Sequence, residues 1–166
     1  LSGAIHENAA RGFDSAAADY ERGRPGYPPE AIDLFASELG FGPGSTVVDL
    51  AAGTGKLTRA LIRTRAHVIA IEPVTGMRAQ LVQAVPDADV RAGTAEDMGL
   101  ADASADAVLV AQAFHWFDTP AAAREIHRVL RPGGGLGVIW NVWDDSVPWV
   151  ARMQELVGAH RGDTPQ

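Results

Sequence analysis

Cysteine is absent from all 166 residues, which excludes disulfide frameworks, thiolate nucleophiles and cysteine-ligated metals. Lysine is almost absent as well. Lys56 is the only one, the arginines are scattered singly, and the formal net charge is −7. A nucleic-acid binder needs a basic stripe to neutralise phosphates, so no nucleic-acid partner is expected. Arg59, Arg63 and Arg65 come nearest to a basic cluster, and their spacing reads as a solvated helix face. No apolar run approaches the ~20 residues that a membrane span requires. The start, LSGAIHENAARGF, has neither the basic flank nor the apolar stretch of a signal peptide. The expectation is a cytoplasmic protein with no membrane partner. Histidines and carboxylates at ligand spacing are also scarce, so no metal site is expected.

What the sequence does have is an alternation of strand and helix patterns. Short runs rich in valine, isoleucine and leucine lie at Thr46 to Leu50, His67 to Ile71, Asp89 to Ala92, Asp106 to Ala111 and Leu136 to Asn141. Their almost continuous apolar character is that of strands covered on both faces, as in a parallel sheet. Helical patterns run from Pro29 to Leu39, Leu57 to Arg65, Gly76 to Val85 and Pro120 to Leu130. The first opens on proline and closes before Gly40, as helices do. RPGGG at 131–135 breaks the last helix before a strand. The result is an α/β fold, a doubly wound, Rossmann-like sheet in a single domain over 1–166. An N-terminal helical cap would cover about 1–40 and the core about 41–160. In such sheets ligands sit beyond the carboxyl ends of the strands, so the loops after each strand are where function is sought.

The first of those loops reads VVDLAAGTGKLT, Val47 to Thr58. Gly53 and Gly55 permit a tight turn and close approach of a ligand to the backbone, at the start of a helix whose dipole favours an anion. Glycines at these positions serve equally well for helix–strand packing. The second strand ends at Glu72, seventeen residues beyond Gly55, where a carboxylate accepts from both hydroxyls of a ribose. Pro73 and Val74 are placed to flank an adenine ring. After the third strand, the Ala95 amide and the Glu96 carboxylate in AGTAEDM suit the edge of an adenine.

Asp49-x-x-x-Gly53-x-Gly55, Glu72, the TAED loop, SADAVLVAQAFHWF and EIHRVLRPGG, in this order and spacing, resemble the successive motifs of class I methyltransferases that use S-adenosyl-L-methionine (SAM). Within that class the chain is similar to the branch labelled methyltransferase type 11. The likeness extends from about Phe13 to Asn141. FDSAAADYERGRPGYP and AQAFHWFD further resemble enzymes described as trans-aconitate methyltransferase-like, which methylate carboxylates of small acids.

The resemblance implies SAM as cofactor, a small-molecule methyl acceptor, and a carboxylate as one possible acceptor. It places Ala51, Ala52 and Gly53 against the methionine part of SAM, with Asp49 acting through water or holding the loop. Glu72 would take the ribose, and Ala95 with Glu96 the adenine. Gln112 and Ala113 would lie near the sulfonium. Tyr20 and Arg24 would fold over the site, with Arg24 pairing a carboxylate. His115, just past the fourth strand, reads in three ways: a general base, a substrate-orienting donor, or a partner packed beside Trp116. Trp140, Trp143 and Trp149 read first as core or lid packing. If they line a cavity, they favour an apolar or planar acceptor.

Two rival readings stand beside this one. A nicotinamide-dependent oxidoreductase would carry a third glycine at position 58, where this chain has threonine, and would not normally have an acid at position 49. A catalytically silent SAM-binding or regulatory domain would show the same cofactor motifs. The full fold in this class carries a sixth and a seventh strand, whereas here SVPWVARMQELVGAH reads as a helix and RGDTPQ follows. The expectation is therefore a sheet without those strands, with the fifth strand presenting an open edge that invites association.

Overall fold

The computed structural model describes residues 25–160. Among them the chain alternates α1 (Pro29–Leu39), β1 (Thr46–Leu50), α2 (Lys56–Ile62), β2 (His67–Ile71), α3 (Thr75–Ala84), β3 (Asp89–Arg91), β4 (Ala105–Ala111), α4 (Thr119–Val129), β5 (Leu130–Ile139) and α5 (Pro148–His160). A single 3-10 turn, Phe114–Trp116, follows β4. The five strands form one sheet in the order β3-β2-β1-β4-β5, with every neighbouring pair parallel. This is the Rossmann-like order expected from the βα alternation.

Strand parity decides what each residue faces. Val48, Leu50, Ile69, Ile71, Val108 and Val110 point to one side, where they bury Ala122, Ile126 and Val129 of α4. Val47, Val68, Ala107 and Leu109 point to the other, against Ile32 of α1 and Leu57 and Leu61 of α2. Leu81 of α3 closes over Ala70. Asp49 has the parity of Val47 and therefore enters the α2 side of the core. Helix α1 belongs to the layer that covers the sheet; the rest of the expected N-terminal cap lies outside the described residues.

The fifth strand differs from its sequence expectation. The RPGGG segment reads as a break that delays the strand to Leu136, yet pairing already begins at Leu130 opposite Ala105 and resumes at Gly135 opposite Ala107. The residues between form a bulge, with Gly133 at φ +87°. Arg131 anchors it by donating to the Asp106 carboxylate at 2.5 Å, and that carboxylate also accepts from Thr46 N–H at 2.7 Å. Further along, a Cβ on Gly137 would collide with Leu109 and come within 2.7 Å of Phe35. Glycine there lets α1 lie directly on the sheet. Among the described residues β5 pairs only with β4, so its outer edge is open. No described helix is long and apolar enough to cross a membrane.

Candidate functional site

Strand β1 pairs with β2 on one side and β4 on the other, so chain direction across the sheet reverses there. A crevice opens at such a switch point, beyond the carboxyl ends of the strands. In this chain a cavity of about 40 Å³ occupies that place. It is walled by Asp49, the loop from Ala51 to Thr54, Lys56 and Leu57, by Ala111 and Gln112 after β4, by Asn141 after β5, and by Pro25 and Tyr27.

The loop gains its shape from residues in the left-handed region. Ala51 has φ +58°, Gly53 +59° and Gly55 +90°. The two glycines do different work. Gly53 lines the cavity, and a Cβ there would find nothing nearer than Met77 Sδ at 3.9 Å. Gly55 lies outside the lining. A Cβ on it would strike Leu81 and come within 3.2 Å of Val85, so its role is the packing of α2 on α3. Of the two sequence readings for these glycines, close approach fits the first and packing the second.

Asp49 is only 1% exposed. Its Oδ2 accepts from the Thr58 hydroxyl at 2.5 Å. Threonine thus stands where a dinucleotide fingerprint would have glycine, and it holds the acid in place. Burial pushes the Asp49 carboxyl up to about 7; the charge of Glu72 adds to the rise and the Thr58 hydrogen bond opposes it. Oδ1 of Asp49 and Nε2 of Gln112 are both buried without a hydrogen-bond partner among the described residues. Both residues line the same cavity. Gln112 is held in the left-handed region, φ +61°, while its N–H donates to Ile139 O at 2.9 Å. An unpaired buried polar group costs about 1–3 kcal/mol. An acceptor and a donor left unpaired at one cavity therefore mark a place for a ligand that carries the complementary donor and acceptor.

Glu72 ties two loops together. Its Oε2 accepts from Gly53 N–H at 2.8 Å and its Oε1 from Val74 N–H at 2.7 Å. At 3% exposure, burial raises its pKa above the usual carboxylate range, against the pull of those two amides and of Arg78. Arg78 in turn donates to the carbonyls of Glu72 and Pro73 at 2.8 and 3.0 Å. A carboxylate offers about four lone-pair sites, so two remain on Glu72 for ligand hydroxyls.

The loop after β3 is set apart from the cavity. Glu96 lines a shallow surface groove with Ala92, Gly93, Thr94, Asp97 and Gly99. Its Oε1 accepts from Asp118 N–H at 3.0 Å, at the start of α4. Ala95 is buried in the core. Met98 N–H donates to Glu125, which also holds Arg128. His115 is exposed, does not line the cavity, and lies against Trp116 with ring centroids 4.9 Å apart. Tyr20 and Arg24 lie outside the described residues. The structure thus brings Asp49, Ala51, Gly53 and Gln112 together at one cavity, with Glu72 one hydrogen bond behind Gly53. Pro73, Ala95, Glu96 and His115 are not among the residues that wall it.

Sequence reasoning missed Tyr27, Lys56 and Asn141 as wall residues. The isolated lysine of an almost lysine-free chain, at the first residue of the helix that follows the turn, was a usable signal. Tyr27 lies in the FDSAAADYERGRPGYP motif, of which only Tyr20 and Arg24 were singled out.

Residues 48–138, more than half of the chain, match the model of a family described as a methyltransferase domain. An uncharacterized methyltransferase of Mycobacterium tuberculosis (strain ATCC 25618 / H37Rv) is 48% identical over 146 residues, covering 88% of this chain and 58% of the relative. The chain therefore spans under two thirds of that relative's length. A structure described as an S-adenosyl-L-methionine-dependent methyltransferase from Methanococcus maripaludis matches with a TM-score of 0.67 at 17% identity, covering 96% of this chain and 75% of that one. Geranyl diphosphate C-methyltransferase from Streptomyces coelicolor A3(2), solved with Mg2+, geranyl diphosphate and S-adenosyl-L-homocysteine, matches at 0.59 and 18% identity, over 78% of this chain and 53% of that one. At such identities the structural likeness speaks for the fold. Together with the family match it shows that this chain belongs to the methyltransferase domain family, type 11 branch.

Proposed function

We propose that this chain binds SAM at the β1/β4 switch point and transfers its methyl group to a small-molecule acceptor. The observation that carries the reading is the pair of unpartnered buried atoms at the cavity. Asp49 Oδ1 needs a donor and Gln112 Nε2 needs an acceptor. The α-ammonium and α-carboxylate at the methionine end of SAM supply one of each, so the residues fit the cofactor. Ala51 and Gly53 would lie along that end, and Glu72 would receive the ribose hydroxyls on its remaining lone pairs. Pro73, Ala95 and Glu96 would frame the adenine toward the groove after β3. Tyr20 and Arg24 would complete the cover.

When bound, SAM supplies a methyl group already activated by its sulfonium. The protein's part is alignment, because an acceptor lone pair must meet the methyl carbon opposite the breaking carbon–sulfur bond. An acceptor O–H or N–H also loses a proton, whereas a carboxylate has none to lose. His115 is exposed and is not among the residues that line the cavity. Its place suits contact with the acceptor better than proton removal next to the methyl. Small carboxylic acids, brought in by the likeness to trans-aconitate methyltransferase-like enzymes, form one arm of an acceptor screen.

Calorimetry of the chain with S-adenosylhomocysteine and with NAD tests the reading. Binding of the former alone, weakened in Glu72→Ala, is the expected result. Binding of NAD instead would overturn it. Transfer of label from methyl-labelled SAM to an acceptor separates an enzyme from a silent SAM-binding domain.

A further inference from the structure

Two buried carboxylates serve the turn between β1 and α2, and they are not equivalent. Glu72 is 3% exposed, and each of its oxygens accepts from a backbone amide, Gly53 N–H at 2.8 Å and Val74 N–H at 2.7 Å. An amide N–H only donates, so both bonds favour the ionised form. Arg78, which donates to the Glu72 carbonyl at 2.8 Å, adds its positive charge. Asp49 is 1% exposed and has one donor, the Thr58 hydroxyl on Oδ2. Its Oδ1 is buried without a hydrogen-bond partner among the described residues. A bare anionic oxygen held away from water costs far more than a neutral one, and the negative Glu72 adds repulsion. Of the two acids, Asp49 is therefore the one that keeps a proton, and its carboxyl is pushed up to about 7.

The groups that face Asp49 are few. Helix α2 brings Thr58 and, on the cavity wall, Lys56; the loop after β2 brings Glu72. Gln112 after β4 and Asn141 after β5 are amides, and Tyr27 is a phenol. The neighbours buried on this side of the sheet, Ile32 of α1, Leu57 and Leu61 of α2 and Leu109 of β4, are apolar. Among the described residues that wall the cavity, Asp49 is the one acid and Lys56 the one cation, and none is a histidine. With Asp49 ionised, the wall presents one charge of each sign, complementary to a zwitterion. With Asp49 protonated, it presents only the positive one, and an ammonium finds no anion to pair with.

We infer that binding of the cofactor's amino-acid end is linked to a proton: the unliganded chain keeps Asp49 protonated, and pairing of Oδ1 with the α-ammonium releases that proton to solvent. The O–H bond of the carboxyl breaks, its electron pair stays on the carboxylate, and the proton leaves with water. This rests on the cofactor reading above. It adds that affinity depends on pH, because the proton must be removed before the ion pair can form. From a midpoint of about 7 in the unliganded chain, binding should weaken about tenfold between pH 8 and pH 6.

Calorimetry of the chain with S-adenosylhomocysteine at pH 6 and pH 8, each in two buffers of different ionisation heat, reads affinity and proton release together. Methylthioadenosine, which keeps the nucleoside and lacks the amino-acid end, is the control. We expect S-adenosylhomocysteine to bind about tenfold more weakly at pH 6 than at pH 8, and to release about one proton at pH 6. Methylthioadenosine should release none at either pH. Asp49→Asn should abolish both the slope and the proton release. Thr58→Val removes the donor that favours the ionised form of Asp49, so it should move the midpoint of the pH dependence upward. This second variant decides the matter if Asp49→Asn does not fold. Equal affinity for S-adenosylhomocysteine at the two pH values, proton release shared by methylthioadenosine, or an unmoved midpoint in Thr58→Val would each overturn the proposal. The two readings fail separately. No binding of S-adenosylhomocysteine at either pH refutes the cofactor reading and the proposal with it, whereas binding without a pH slope refutes the proton link alone.

Discussion

Replacing Asp49 with asparagine should make the variant gain stability relative to the parent as pH rises. The folded chain holds the Asp49 carboxyl at about 7, against an ordinary 3.8. Between those values the native state keeps a proton that the unfolded chain has released. The native state therefore binds more protons, and stability falls as pH climbs from about 4 to about 7. A difference of about three pH units at 1.36 kcal/mol each makes the total loss on the order of 4 kcal/mol. Asparagine cannot ionise, so this slope disappears. It can still accept from the Thr58 hydroxyl, and its amide nitrogen takes the place of Oδ1, which has no partner in the parent either. By pH 5 the parent has already lost about 1.5 kcal/mol of that total, so between pH 5 and pH 8 the variant should gain about 2–3 kcal/mol relative to the parent. Urea unfolding of both proteins at pH 5, 6, 7 and 8 measures this directly. Other acids titrate alike in the two proteins, except Glu72, whose coupling to Asp49 is part of the effect. A stability difference constant from pH 5 to 8 would refute the account of Asp49 as a buried acid raised by desolvation.

Glu72→Ala should weaken S-adenosylhomocysteine binding by about 1.5–3 kcal/mol, read by calorimetry. Glu72→Gln should not rescue it, because one face of the new amide would confront the N–H of Gly53 or Val74. Gly137→Ala should destabilise the chain by about 1–3 kcal/mol through overpacking against Leu109 and Phe35, with little effect on cofactor affinity; thermal unfolding checks the first part and calorimetry the second. His115→Ala should leave cofactor affinity unchanged and raise the acceptor KM with kcat held, as loss of a contact made through Trp116 would do. A fall in kcat with a lost acidic limb in the pH profile would instead make His115 a base.

The elements were legible where one signal governed them. The buried runs TVVDL and HVIAI begin and end where the pattern places them, as does α1 between its proline and Gly40. The fifth strand was not, because proline and three glycines break local propensity, while the Asp106 anchor that holds the bulge to the ladder comes from another strand. Helix α2 ends at Ile62 rather than Arg65, which takes φ +60° in the turn that follows.

The candidate site divides along the same line. Sequence alone determined the family motifs, their order, and therefore which loops gather at one end of the sheet, because alternating buried strands and amphipathic helices admit few windings. It also placed the acids at positions 49 and 72. Only the tertiary structure decided what those residues became. Strand parity put Asp49 inside, beside Thr58 of α2, and packing removed the water that would otherwise keep it an ordinary acid. Packing likewise assigned Gly55 to a helix contact and Gly53 to the cavity, and it left the four tryptophans outside the core. Burial, partnership and exposure depend on what the rest of the chain brings within a few ångströms, and no local stretch of sequence carries that information.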